Sequence, residues 1–286
     1  MLKSSLGIFF YFILQNRHVW KLLSGEEKAQ IIDVNYNYNN FRPDYKPELY
    51  QDGKNWESNL KSSEDYRNWE EKINEYLKIS KPLEVCEIGP GTGYYSRLII
   101  KNNNISSFTG IEINSFFKNY LKNNISQIKR NKFKFEILEK FEDIEKNKKF
   151  DLIYSLSAIH HIPDREHLFK NINNHLKQGG YFFAIEPTHY MPRIFQLLKK
   201  YFNNYRKKEY WSKIENLSTH HFCTLNEFKK FSFQDLDIID YDQTKIHFKV
   251  RGLLAKIRPV FLKKFLQLYF SQEFSILLKK KRKTTN

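Results

Sequence analysis

One stretch limits what this chain can fold into more than any other: Leu83-Glu84-Val85-Cys86-Glu87-Ile88-Gly89-Pro90-Gly91-Thr92-Gly93-Tyr94-Tyr95-Ser96. An apolar run of strand length passes through an acid, three glycines follow at alternate positions, and Ser96 to Ile100 has the pattern of a helix. The stretch therefore reads as a strand, a tight loop and a helix N-terminus. Glycine tolerates positive φ and lets a ligand lie directly against the backbone. A plain strand-to-helix turn seldom needs three.

Two ligand classes use such a loop. A dinucleotide-binding Gly-x-Gly-x-x-Gly would place a glycine at position 94, where this chain has Tyr94. The spacing is Glu-x-Gly-x-Gly-x-Gly instead. Further segments follow in order. Ser107 to Glu112 reads as a second strand ending in an acid nineteen residues after Gly93, where a carboxylate can accept from both hydroxyls of a ribose. Lys132 to Leu138 reads as a third strand running into Glu139-Lys140-Phe141. Phe150 to Leu156 reads as a fourth, followed by the paired-histidine turn Ser157-Ala158-Ile159-His160-His161-Ile162-Pro163-Asp164. His175 to Pro187 then gives a helix end, a Gly179-Gly180 turn and a fifth strand.

In this order the motifs resemble the class I S-adenosylmethionine-dependent methyltransferases, in particular their small-molecule (type 11/12-like) branch, over roughly residues 80–190. The resemblance implies an α/β fold, a Rossmann-like seven-stranded sheet of order 3-2-1-4-5-7-6 with strand 7 antiparallel. Leu236 to Tyr241 and Thr244 to Val250 would be its sixth and seventh strands. It implies S-adenosyl-L-methionine as cofactor, with Glu87, Gly89, Gly91 and Gly93 around its amino-acid part and Glu112 with Ile113 at the ribose. Glu139 and Lys140 would lie at the adenine, with Glu136 or Glu142 as alternatives to Glu139, and Ser155 would line the end of the fourth strand.

The histidine pair lies just past the fourth strand, where an imidazole can take a proton from a substrate hydroxyl. His161, then His160, are the candidate catalytic residues; the alternative is that one packs in the turn while the other lines the pocket. His189 and Tyr190 after the fifth strand, and His220 and His221 before Cys223, are candidate substrate contacts. His220-His221-Phe222-Cys223 does not converge on a zinc ion without further ligands, so no metal is implied. Asp164 and Thr224 read as helix N-caps.

Around this core the chain divides into an N-terminal helical or lid extension (1–79), a methyltransferase domain (80–250) with a cap insertion at about 187–223, and a C-terminal tail (251–286). Near the N-terminus, Leu6 to Leu14 is apolar but too short to span a bilayer, and no small-residue cleavage site follows. It reads as a helix that, with Trp20 and Leu23, covers the site, touches a membrane or packs on the core. Met191 to Trp211 reads as a basic amphipathic helix.

Net charge is +16, and the tail alone holds ten Lys or Arg against the single acid Glu273. Its apolar residues, Ile257 through Leu278, recur at roughly helical spacing before Lys279 to Lys283. Such a helix suits an anionic membrane surface or docks on the domain. Two cysteines, with no Cys-x-x-Cys, point to a cytoplasmic protein without structural disulfides, peripheral at most to the inner face of a membrane.

The functional expectation is methyl transfer to a small-molecule or lipid-linked acceptor, at an oxygen, with no obligate protein partner. The alternatives are a nucleic-acid methyltransferase and a non-catalytic S-adenosylmethionine-binding protein. Against nucleic acid as partner, no Asn/Asp-Pro-Pro-Tyr/Phe motif follows the fourth strand and no RNA-binding module is appended.

Overall fold

A computed structural model describes residues 11, 17–40, 75, 83–126, 128, 133–187, 223–231, 235–243 and 273–282. Two helices come first, α1 (Arg17–Leu22) and α2 (Gly25–Asn40). The sheet region then runs β1 (Leu83–Ile88), α3 (Tyr94–Ile100), β2 (Ile105–Ile111), α4 (Ser115–Ser126), β3 (Lys134–Leu138) and β4 (Phe150–Leu156). It continues through α5 (Arg165–His175), β5 (Leu176–Pro187), α6 (Leu225–Phe231), β6 (Leu236–Asp242) and β7 (Glu273–Lys280). Single 3-10 turns occupy Phe141–Asp143 and Ile159–His161.

The seven strands form one sheet of order β3-β2-β1-β4-β5-β7-β6. The first five are parallel, and β7 runs antiparallel to both β5 and β6. The central strands are apolar almost throughout because both faces are covered. Alternation along each strand divides the core. Leu83, Val85, Leu152, Tyr154, Phe183 and Leu277 face one cluster, with Ile99, Ile100, Leu121 and Ile125 of α3 and α4. Cys86, Ile88, Ile153, Phe182, Ile276 and Leu278 face the other, with Leu168, Phe169 and Ile172 of α5.

The identity of the seventh strand corrects the sequence expectation. β7 is Glu273–Lys280, drawn from the tail read above as an amphipathic helix; Thr244 to Val250, expected as the seventh strand, lies outside the described residues. A strand seated between two others in a covered sheet needs apolar residues on both faces. Phe274, Ile276, Leu277 and Leu278 supply them and are all at most 2% exposed. Periodicity alone cannot separate so short an apolar run from a piece of helix. The basic end of the tail also serves the sheet. Lys280 donates through Nζ to the carbonyls of Asn173 and Leu176 at the C-terminus of α5, where a cation suits the helix dipole. Lys281 lies 3.7 Å from Asp237, and Lys279 lies over the Tyr181 ring.

Aromatic packing joins the late elements to the sheet. Phe169 of α5 meets Phe182 of β5, Phe228 of α6 and Phe231, and Phe228 in turn meets Phe274 of β7. Tyr11, Trp20, Leu23 and Ile31 bury one another in a small N-terminal cluster, so Trp20 and Leu23 face protein and not lipid. α1 reaches α5 through Lys21 and Glu166 at 3.0 Å. Among the described residues no helix is long and apolar enough to cross a membrane.

Because β7 fills the place between β5 and β6, a chain ending at residue 272 should lose cooperative thermal unfolding, whereas one ending at 282 should melt like the full chain. Circular dichroism during heating checks this. A peripheral tail helix would leave the melting transition of the shorter chain in place.

Candidate functional site

The loop after β1 is shaped by its three glycines, each at positive φ: 67° at Gly89, 55° at Gly91 and 75° at Gly93. Their surroundings differ. A Cβ at Gly89 would lie 2.3 Å from the Cβ of Ala158, and one at Gly93 would lie 2.0 Å from Leu121 Cδ1. Both positions are therefore glycine for packing as well as for φ. A Cβ at Gly91 would meet nothing within 4 Å, so this glycine presents bare backbone to open space.

Two buried carboxylates flank that space. Glu87, 1% exposed, accepts at Oε2 from the hydroxyls of Ser96 and of Tyr154, the latter at 2.6 Å. Burial outweighs these donors and raises its pKa to about 7. Glu112, 5% exposed, accepts from the N–H of Gly91 at 2.9 Å and of Asn114 at 2.8 Å. It is raised to about 6, again by burial, with the two backbone donors and Lys118 acting in the opposite direction. Glu112 thus ties the glycine loop to the end of β2. Its own N–H donates to the carbonyl of Leu138, which brings the ends of β2 and β3 together.

The remaining cofactor candidates sit at the same edge with differing engagement. Ile113, partly exposed, follows Glu112 directly. Glu139, one residue past β3, is partly exposed and paired with Lys118 at 3.2 Å. Lys140 is exposed, and its N–H donates to the Asp143 carboxylate. Of the alternatives to Glu139, Glu136 is held on the strand by Thr109 and Lys148, and Glu142 is held by His167 and Asn171. Ser155, fully buried, turns its hydroxyl to Glu186 at 3.2 Å.

At the end of β4 the two candidate histidines separate by environment. His160 is 5% exposed, with Nδ1 2.9 Å from Glu186 Oε2. His161 is partly exposed, its ring centroid 4.1 Å from that of His160. His189, Tyr190, His220 and His221 lie outside the described residues. Asp164 caps α5, accepting from the His167 N–H, and the Thr224 hydroxyl accepts from the Glu227 N–H at the start of α6. No group of His, Cys, Asp and Glu among the described residues could hold a metal ion.

Two features escaped the sequence reading. Glu186 sits at the end of the segment read as the fifth strand, but its role as a fully buried hydrogen-bond hub is visible only in three dimensions. Arg165 and Glu227, 4% and 9% exposed, form a two-point ion pair at 2.8 and 3.1 Å, and Arg165 also donates to the Ile162 carbonyl. Burial alone would lower the Arg165 pKa; Glu227, together with Cys223 and Tyr11 nearby, more than offsets that and holds it above its usual value. The pair fastens α6 beneath the histidine turn. An acid directly after the apolar run Tyr181 to Ile185 was the available signal for Glu186; sixty-two residues of separation left none for the pair.

The electrostatics give a test that needs no ligand. A carboxyl that titrates near 4.5 when exposed and about 7 when buried favours the fold below pH 4.5, and that stability is lost as pH rises through 7. Glu87→Gln keeps an acceptor for Ser96 and Tyr154 without the charge. It should therefore be more stable than the parent at pH 8, by ~3 kcal/mol at most for such a shift, and no more stable at pH 4.5. Urea unfolding at the two pH values measures both.

This arrangement suits a cationic ligand that carries hydroxyls, with bare backbone at Gly91 to lie against and buried carboxylates beside it. The comparisons agree. A methyltransferase-domain family model matches residues 62–230, more than half of the chain. Two malonyl-[acyl-carrier protein] O-methyltransferases of Ilyobacter polytropus are each 26% identical, one over 44% of this chain and 50% of its own length, the other over 74% and 70%. The chain thus spans only half the length of the first. A phosphoethanolamine N-methyltransferase of Haemonchus contortus, in complex with S-adenosyl-L-methionine, shares the fold at a TM-score of 0.53 and 17% identity, over 76% of this chain and 53% of that one. The glycine loop, the strand order and the family match converge: the chain belongs to the class I S-adenosylmethionine-dependent methyltransferases.

Proposed function

We propose that this protein transfers the methyl group of S-adenosylmethionine to an oxygen of a small-molecule, lipid-linked or carrier-linked acceptor. The observation that carries the reading is the open backbone face at Gly91 between the buried Glu87 and Glu112, at the carboxyl edge of the sheet. When bound, S-adenosylmethionine supplies an electrophilic methyl group on a sulfonium. The chain's own work is to hold that group, align the acceptor and exclude water.

In this reading Glu87 complements the ammonium of the cofactor and Glu112 accepts from its ribose hydroxyls while holding Gly91. Ile113 packs at the ribose, and Glu139 and Lys140 flank the adenine. Ser155 acts through Glu186 and not by direct contact. The malonyl-[acyl-carrier protein] enzymes support an oxygen acceptor, and the net charge of +16 supports an anionic one, since a positive field concentrates anions. His161, the more exposed of the pair, takes the proton where the acceptor is a hydroxyl. A carboxylate acceptor has no proton to lose.

Glu112→Ala should weaken S-adenosylmethionine binding by at least ~10-fold, the usual worth of hydrogen bonds to a charged group, as read by calorimetric titration. Unchanged affinity would remove the ribose assignment.

Incubation with methyl-labelled cofactor tests the reaction against malonyl-[acyl-carrier protein], a free malonyl thioester, a phenolic acceptor and RNA. Label in one of the first three supports the proposal; label in RNA alone overturns it, as does cofactor binding without transfer to any. His161→Ala should then lower kcat by ~100-fold or more for a hydroxyl acceptor, the lower range of general-base contributions, and change it little for a carboxylate.

A further inference from the structure

Glu186, the penultimate residue of β5, is wholly buried, and its partners are unusual for a structural acid. Oε1 accepts from the Ser155 hydroxyl at 3.2 Å and from the N–H groups of Ala158 and Ile159 at 3.1 and 2.8 Å. Oε2 accepts from the His160 N–H at 3.3 Å and lies 2.9 Å from His160 Nδ1. Three consecutive backbone N–H groups converge on one carboxylate because Ser157, just before them, has φ 55°. Left-handed backbone is uncommon outside glycine and tends to mark a functional turn. The Ser157 N–H donates to the Ile185 carbonyl at 2.7 Å, which pins the bend to β5.

A carboxylate only accepts hydrogen bonds, so the imidazole meets it with Nδ1–H. In a neutral imidazole, that arrangement leaves the lone pair on Nε2. The same turn touches both halves of the site: Ala158 fills the room left by the missing side chain of Gly89, and the His160 ring abuts that of His161.

We infer that Glu186 is a positioning residue of the methyl-transfer site, which holds the 157–161 turn against the glycine loop and fixes His160 in the Nδ1–H form, with Nε2 as its basic nitrogen. The inference rests on the proposed function for its catalytic consequence, and on geometry alone for the state of the ring. It acts through the histidines and places no requirement on contact between Glu186 and substrate.

Glu186→Gln tests it. The side chain keeps its shape, and its amide oxygen best serves Ser155, Ala158 and Ile159, which leaves the amide nitrogen facing His160. That nitrogen donates to Nδ1, so the ring proton moves to Nε2. Long-range proton–nitrogen spectra of the imidazoles, assigned with His160→Asn, should show Nδ1–H at His160 in the parent and Nε2–H in the variant. With the phenolic compound as the acceptor probe, whose hydroxyl has a proton to lose, kcat should fall at least ~10-fold while KM for S-adenosylmethionine stays within ~2-fold, the low end of what misplaced catalytic groups cost. Adding His160→Asn to Glu186→Gln should cause little further loss, because the two act as one unit.

A parent ring bearing Nε2–H would overturn the positioning role, and this outcome is readable even if Glu186→Gln fails to fold. A flipped ring with unchanged kcat would also overturn it, leaving Glu186 as a packing device. No transfer by the parent to any acceptor, with Nδ1–H as inferred, would overturn the proposed function and the catalytic consequence together while the ring assignment stood.

Discussion

The site depends on a close approach of the Gly89 backbone to the methyl group of Ala158. A Cβ there would overlap Ala158, so the loop after β1 and the turn after β4 share a contact that only glycine permits. Gly93 does the same work on the opposite side, where a Cβ would overlap Leu121 of α4. With these two contacts made, the loop's path is set, and Gly91 is left facing open space. The alternating glycines are therefore a composite of two packing constraints and one ligand-facing surface. Glu112 locks the result by accepting from the Gly91 N–H.

That division explains how much was legible in the sequence. Features set by neighbours along the chain read directly: the strand, loop and helix from Leu83 onward, the acid at the end of β2, and the Asp164 and Thr224 caps. Sheet order followed from those motifs together with the family resemblance. The seventh strand did not read, because Phe274 to Leu278 is apolar on both faces and so carries no strand alternation, while Lys279 to Lys281 beside it resembles a membrane-binding end. Only the requirement that something occupy the place between β5 and β6 reveals it, and that requirement belongs to the sheet. The pairing of Arg165 with Glu227 and the donors of Glu186 are likewise products of the fold.

The buried charges are met in different ways. Arg165 and Glu227 neutralise each other, and Glu186 is surrounded by donors from a turn bent to supply them. Glu87 and Glu112 have donors too, but burial outweighs them and both carboxyls are pushed up, to about 7 and about 6. Selection purges a destabilised site only when the protein falls below the stability it needs, so strain of this kind persists where function requires it. Both raised carboxyls lie at the glycine loop, with Glu112 bonded to the Gly91 N–H itself. Under the proposed roles, an ammonium beside Glu87 would complete its environment, and ribose hydroxyls would add donors to Glu112. On those roles, part of the cost to the ligand-free protein would be recovered as binding energy. On this argument the glycine loop gives the cofactor its room, and the buried acids give it a reason to enter.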